Sequence, residues 1–167
     1  MKLQTLKDLY IRELKGLYSA ETQIIEALPK MMQGTSRAEL VAAFQEHLEQ
    51  TREQANRLER ILEHHDSSSR GPKHKGMEGV LSEALDLLEK DADDGVRDAA
   101  LIAAAQRVEH YEMAGYGCAR TYAELLGDME GAQLLQETLS EEVEADEKLT
   151  QLAVSVINLD AAAAEEV

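Results

Sequence analysis

Apolar residues recur at the spacing of one helical face along four long stretches of this chain, and that periodicity limits the folds open to it. The first stripe consists of Leu3, Tyr10, Leu14, Leu17, Ile25, Leu28 and Met32. A period of about 3.6 residues is typical of amphipathic helices that bury one face. With 2 Pro and 10 Gly among 167 residues, the chain offers few interruptions to helices. The sequence therefore predicts an all-α fold.

Breaks in the periodicity separate the helices. The predicted elements are a first helix at about residues 3–32, a second from Thr35 or Ser36 to about His65, a loop at 66–76, a short helix at about 77–90, and two further long helices at about 96–126 and 128–159. Glu39 would complete a capping box with Ser36. The acidic stretch 91–95 would cap the third long helix.

This order of elements predicts a particular architecture. Two tight hairpins joined by one long crossover is a ferritin-like way to build a four-helix bundle. We therefore expect residues 1–160 to form a single ferritin-like domain with a short fifth helix in the crossover. Residues 161–167 are expected to be a frayed tail.

The charge balance excludes several classes of partner. The formal net charge is −16, from 17 Lys and Arg against 33 Asp and Glu. Such a surface repels nucleic acid and anionic lipid, since both bind through positive charge.

The single cysteine, Cys118, allows no intrachain disulfide, and its small side chain is interpreted as a core residue. Without a leader-like or membrane-spanning apolar run, we expect a water-soluble protein of the cytoplasm.

Polar residues interrupt the apolar stripe of each long helix. The fourth stripe, for example, consists of Leu135, Leu139, Leu149, Ala153 and Val156, with Glu142 at its centre. The full set of inward polar residues is Glu21 in the first long helix, His47 in the second, Glu109 and Glu112 in the third, and Glu142 and Asp146 in the fourth. Each helix therefore aims a carboxylate or an imidazole at the core.

These residues also stand at matching heights along the predicted hairpins. Glu21 lies 13 residues before the glycine of the first turn and His47 lies 13 residues after it. Glu112 and Glu142 lie 15 residues before and after the glycine of the second turn. Equal offsets in an antiparallel pair mean equal height, so the four helices should converge on one patch in the middle of the bundle.

Several carboxylates cannot all stay ionised in an apolar core. Either their pKa values rise and protons are shared, or cations compensate the charge. Carboxylate oxygen with imidazole nitrogen suits iron, manganese or zinc, and two adjacent divalent ions would neutralise four carboxylates. A single inward Glu could instead reach solvent or pair with an Arg. One such residue in every helix, at matching heights, favours a metal site.

Several runs in the sequence resemble one known family. They are Tyr18-Ser-Ala-Glu21, the run from His47 to Thr51, the run from Arg97 to Gln106, Val108-Glu-His-Tyr-Glu112, and Glu137-Thr-Leu with Glu141, Glu142 and Asp146. Over about residues 3–155 the chain resembles the YciE/YciF ferritin-like family. That resemblance implies a stress-associated, metal-binding, homodimeric bundle with a dinuclear site. Its expected ligands here are Glu21, His47, Glu109, Glu112, Glu142 and Asp146.

The chain departs from the usual di-iron pattern at two places. The Glu-x-x-His pair is absent, since Arg52 follows Glu49 and Ala145 follows Glu142 at that spacing. Gln50 stands where relatives often have Glu, and an amide oxygen is a weaker ligand than a carboxylate. Both departures bear on the second metal position.

Three functions are consistent with these patterns. The leading hypothesis is a metal-binding stress protein with two Fe or Mn ions per chain, or Zn, that acts on ferrous iron, peroxide or dioxygen as an oxidoreductase of ferroxidase or peroxidase type. The second is a protein that sequesters or stores metal without turnover. The third is a metal-free helical interaction module whose core carboxylates are protonated. The sequence assigns no catalytic residue.

Overall fold

The structure is a computed structural model that describes residues 3–35 and 37–163. Its elements are α1 (Leu6–Gln33), α2 (Ala38–His64), α3 (Lys75–Leu88), α4 (Asp94–Leu126), α5 (Met129–Leu152), a π-helical segment (Ala153–Ile157) and α6 (Asn158–Ala163). Every regular element of the described residues is helical, which confirms the predicted all-α fold.

Four long helices form the bundle and a fifth covers one side. Helices α1 and α2 pack as one hairpin and α4 and α5 as the other, while α1 also contacts α4 and α2 contacts α5. The short helix α3 lies in the crossover and packs against α1 and α4. This is the predicted ferritin-like four-helix bundle. None of the helices in the described ranges is both long and apolar enough to cross a bilayer.

The start of α2 differs from the prediction. Arg37, not Thr35, is the N-cap residue, and it makes no side-chain cap hydrogen bond. The Thr35 hydroxyl instead accepts a hydrogen bond from the Arg37 amide at 3.1 Å, which forms a turn before the helix begins. The predicted capping box depended on Ser36, which lies outside the described residues.

The turn between α4 and α5 holds one end of the bundle together. Helix α4 starts at the acidic stretch as predicted, with the Asp93 side chain accepting from the Gly95 amide. It ends at Gly127, whose φ of 78° lies in the left-handed region. Asp128 then caps α5 by accepting from the Gly131 amide at 2.9 Å. Its other carboxylate oxygen accepts from the Tyr10 hydroxyl at 3.0 Å.

The predicted fourth long helix is not continuous to residue 159. The π-helical segment interrupts it, and a π turn accommodates one extra residue. As a result Ile157 takes the inward position that the α-helical period assigned to Val156, which is exposed. Helix α6 continues to Ala163, and Arg37 donates to the Asp160 carboxylate at 2.6 Å. Residues 164–167 of the predicted frayed tail lie outside the described residues.

The apolar core consists of two separate clusters. One surrounds Phe44 and Leu101 near the turn between α1 and α2, and the other surrounds Tyr10 and Tyr116 near the turn between α4 and α5. The interpretation of Cys118 as a core residue is wrong, because its side chain is exposed. The middle of the bundle, between the two clusters, is therefore where polar residues occupy the interior.

Two glycine substitutions should have opposite effects on stability. Gly127→Ala places a Cβ on a left-handed residue, which costs about 1–2 kcal/mol. Gly117→Ala lies inside α4, where an added Cβ meets nothing within 4 Å, and should stabilise the protein by about 0.5–1 kcal/mol. Urea unfolding of both variants measures the difference. Equal effects of the same sign would contradict the assignment of Gly127 as the left-handed end of α4.

Candidate metal site

A layer of buried polar side chains crosses the middle of the bundle. Glu21, Glu112 and Glu142 are fully buried, Glu109 is 2% exposed and His47 is 6% exposed. Each lies on the inward face of its helix because its neighbours at helical spacing belong to the apolar core. Glu21, for example, lies between Leu17 of one cluster and Ile24 of the other. The layer therefore separates the two halves of the core.

Four of the predicted ligands form a compact group. His47, Glu109, Glu112 and Glu142 each offer one ligand atom, and these atoms all lie within 4.8 Å of one another. His47 Nε2 and Glu109 Oε2 are 3.5 Å apart. Three different long helices, α2, α4 and α5, contribute to the group. Charged groups this close in an apolar interior require compensation by protons or cations.

Glu21, on α1, is linked to this group through Tyr116 and Glu112. The Tyr116 hydroxyl donates a hydrogen bond to Glu21 Oε1, and both side chains are fully buried. The carboxyl of Glu112 lies beside that of Glu21 and each affects the pKa of the other. The layer thus receives a side chain from all four long helices.

Asp146 lies apart from the group. Its carboxylate accepts a hydrogen bond from the Gln106 amide at 3.0 Å and lies 3.5 Å from His110 Nε2. Its side chain is 19% exposed, unlike those of the buried layer. One turn along α5 from Glu142 is thus far enough to move a carboxylate to the edge of the bundle.

The sequence pattern missed one buried partner of the site. Gln54 is fully buried, and its amide donates to Glu142 Oε1 and, at 3.1 Å, to Glu141 Oε2. Glu141 in turn forms a bidentate pair with Arg57, with distances of 2.6 and 2.8 Å. Gln54 lies seven residues, or two helical turns, after His47, and that spacing was the available signal.

Burial and mutual repulsion set the protonation of the layer. Desolvation, followed by repulsion from neighbouring carboxylates, raises the pKa of Glu21, Glu109 and Glu112 well above the ordinary value. Burial lowers the pKa of His47, since it disfavours the charged imidazolium. Burial therefore favours the protonated forms of Glu21, Glu109 and Glu112 and the neutral form of His47.

Unpartnered polar atoms show that this layer suits a bound cation. Among the described residues, the buried site atoms without a hydrogen-bond partner are Glu21 Oε2, both ring nitrogens of His47, Gln54 Oε1, Glu109 Oε2, both oxygens of Glu112, and Glu142 Oε2. Each unsatisfied buried group costs about 1–3 kcal/mol. Oxygen and imidazole donors in this proportion fit iron, manganese or zinc. The residues present thus fit the expected metal.

A cleft leads from the surface to the edge of this layer. It has a volume of about 200 Å³, and His47 and Glu109 line it together with Gln50. Lys148 and Glu46, which form an ion pair, also line it. The cleft offers a small ion or molecule a path to His47, and Gln50 stands beside that path.

The pH dependence of stability should reveal the buried carboxyls in protein treated with chelator. Because Glu21, Glu109 and Glu112 have raised pKa values, the folded state keeps protons that the unfolded chain releases above about pH 4.5. Their stabilising contribution is present at low pH and is lost as pH rises through the folded-state values. His47 acts in the opposite direction near pH 6.5, as one group against three. We expect the free energy of unfolding to fall as the pH rises above about 4.5.

Two variants isolate this effect in urea unfolding measurements. Glu112→Gln removes a titrating group from the layer and should flatten the pH dependence. Glu83→Gln removes the same charge from an exposed position and should leave the slope unchanged. A wild-type stability that rises over this range, or equal slopes in the two variants, would contradict the assignment.

Comparison with known proteins places the chain in a family. Residues 5–162 match the family described as a domain of unknown function, DUF892. Protein YciF of Escherichia coli (strain K12) is 45% identical over 159 residues, covering 95% of this chain and 96% of that protein. The match confirms the resemblance that the sequence runs predicted.

Solved structures agree with this result. The crystal structure of the E. coli stress protein YciF matches with a TM-score of 0.90 at 44% identity, covering 93% of this chain and 99% of that one. YcfI from Rhodopseudomonas palustris matches with a TM-score of 0.86 at 37% identity, covering 89% of this chain and 95% of that one. From its sequence and its fold, the chain belongs to the DUF892 family.

Proposed function

We propose that this protein is a metal-binding stress protein with a dinuclear iron or manganese site inside its bundle. The observation that carries the proposal is the set of unpartnered donor atoms that four helices bring into one buried layer. Glu21, His47, Glu109, Glu112 and Glu142 would hold the ions. Four ionised carboxylates match the charge of two divalent cations, which would remove the cost of burying them.

The residues around this group have distinct parts in the proposal. Gln54 fixes the orientation of Glu142, because its amide donates to that carboxylate. The Tyr116 hydroxyl places a proton at Glu21. The two apolar clusters exclude water from above and below the layer. Asp146 is not among the proposed ligands, since it lies outside the group of mutually close donor atoms and its side chain is 19% exposed.

Bound iron or manganese would supply redox chemistry toward ferrous iron, peroxide or dioxygen. The chain's contribution is to hold the ions and to admit a small reactant. The cleft beside His47 is large enough for such a molecule. The E. coli relative is a stress protein, and we extend that role to this chain.

Metal content per chain tests the binding proposal. Protein supplied with iron and manganese and purified without chelator should contain about two ions per chain by elemental analysis. Glu142→Gln should lose at least one of them, because it removes a central charged ligand. Glu83→Gln, an exposed change of equal charge, should lose none. Metal should also raise the melting temperature of the wild-type protein.

Absence of metal and of any rise in melting temperature would leave a metal-free helical module and overturn the proposal. Full metal content in Glu142→Gln would overturn the ligand assignment. Oxygen uptake on adding ferrous iron, or loss of peroxide with the loaded protein, then tests turnover. Two bound ions with neither reaction would mean sequestration without catalysis.

We further propose that the protein is a homodimer. Large apolar side chains are exposed beside the turn between α4 and α5, where Leu125 is 71% and Met129 is 65% exposed. Exposed apolar area of this kind favours association. Light scattering should give about twice the 18.5 kDa mass of the chain. A mass of one chain at micromolar concentration would contradict the proposal.

A further inference from the structure

A second cleft, remote from the buried layer, lies between α1, the loop before α3 and the side of α4. Its volume is about 570 Å³, within the range of small-molecule sites. Lys15 and Arg12 of α1 line one wall, and Lys73 and Lys75 line the other. Tyr111 of α4 also borders the cleft. The fold thus brings together four cationic side chains from two distant parts of the sequence.

The charge of this cleft is opposite to that of the protein. The chain carries −16 overall and has 17 Lys and Arg, yet four of these cations line one cleft in which Glu13 is the acidic lining residue. Lys73 is paired with Glu78 at 2.9 Å. When Glu13 and Glu78 are set against the cations, two positive charges remain. A phosphomonoester carries about −1.5 to −2 at neutral pH, so its charge matches.

His74, which also lines the cleft, is held in place by hydrogen bonds. Its backbone amide donates to Ser19 Oγ at 3.0 Å, and its backbone carbonyl accepts from the side-chain amide of Gln23 at 3.3 Å. Its ring Nδ1 accepts from the Met77 amide at 3.4 Å, so in the neutral ring the proton lies on Nε2. The ring also packs edge-on against Tyr111, with centroids 5.6 Å apart.

Two glycines let His74 and Tyr111 pack directly against the backbone at the border of the cleft. A Cβ at Gly16 would lie 3.0 Å from the His74 ring, and a Cβ at Gly76 would collide with the Tyr111 hydroxyl. Leu3 and Pro72 add apolar surface to the lining. The cleft therefore combines cations for an anionic group with space and apolar contacts for an organic body.

We propose that this cleft binds a small organic phosphate, with the phosphate between Arg12 and Lys75 and the organic part against Tyr111 and Pro72. Arg binds phosphate through paired donors and Lys as a point charge. The volume exceeds that of a phosphate ion, which favours a phosphomonoester over inorganic phosphate. The proposal does not depend on metal in the bundle.

Isothermal titration calorimetry with phenyl phosphate, inorganic phosphate and phenol tests the proposal. Phenyl phosphate should bind more tightly than inorganic phosphate, and phenol should not bind measurably. Raising the salt concentration should weaken binding. The double variant Arg12→Gln/Lys75→Gln should raise the Kd at least about tenfold, since two charge-assisted contacts are lost. The control Arg52→Gln/Lys90→Gln removes the same charge from exposed positions elsewhere and should leave the Kd unchanged.

A further titration distinguishes phosphate binding in this cleft from binding in the buried layer. Glu142→Gln should bind phenyl phosphate as the wild-type protein does. Loss of binding in that variant would place the phosphate at the layer and overturn the inference without affecting the metal proposal. No binding up to about 10 mM phenyl phosphate would also overturn it. Equal Kd values in the two double variants would do the same.

Discussion

Mutual repulsion among buried carboxylates is the constraint around which this bundle is organised. Glu21, Glu109, Glu112 and Glu142 meet in an interior where each of them is at most 2% exposed. They can be buried together only if protons neutralise them or cations bound in the layer compensate their charge. Because the carboxylates come from three of the long helices and His47 from the fourth, a shared cation would tie all four helices at one height.

Much of the fold and part of the site could be predicted from single-helix patterns. Offsets from the two turns placed Glu21 and His47, and Glu112 and Glu142, at matching heights, and the structure brings these residues into one layer. The same reasoning predicted Asp146 as a ligand, but its side chain lies at the edge of the bundle. A shared helix face fixes the direction in which a side chain points but not its distance from the bundle axis.

Other features depend on tertiary structure or on local exceptions to the helical period. The contact between Gln54 and Glu142 joins two helices whose rotation about their axes the sequence does not specify. The π-helical segment moves the inward position from Val156 to Ile157, which no α-helical period anticipates. The basic cleft arises only when the loop before α3 folds onto α1. The homodimer and the cytoplasmic location stay predictions.

The division of the core into two clusters also has a consequence for how the protein can change. Side chains around Phe44 and side chains around Tyr10 belong to separate clusters on either side of the polar layer. Substitutions at sites that share no partners add in their effect on stability, whereas substitutions at neighbouring sites interact. Each half of the core can therefore accumulate compensating mutations independently.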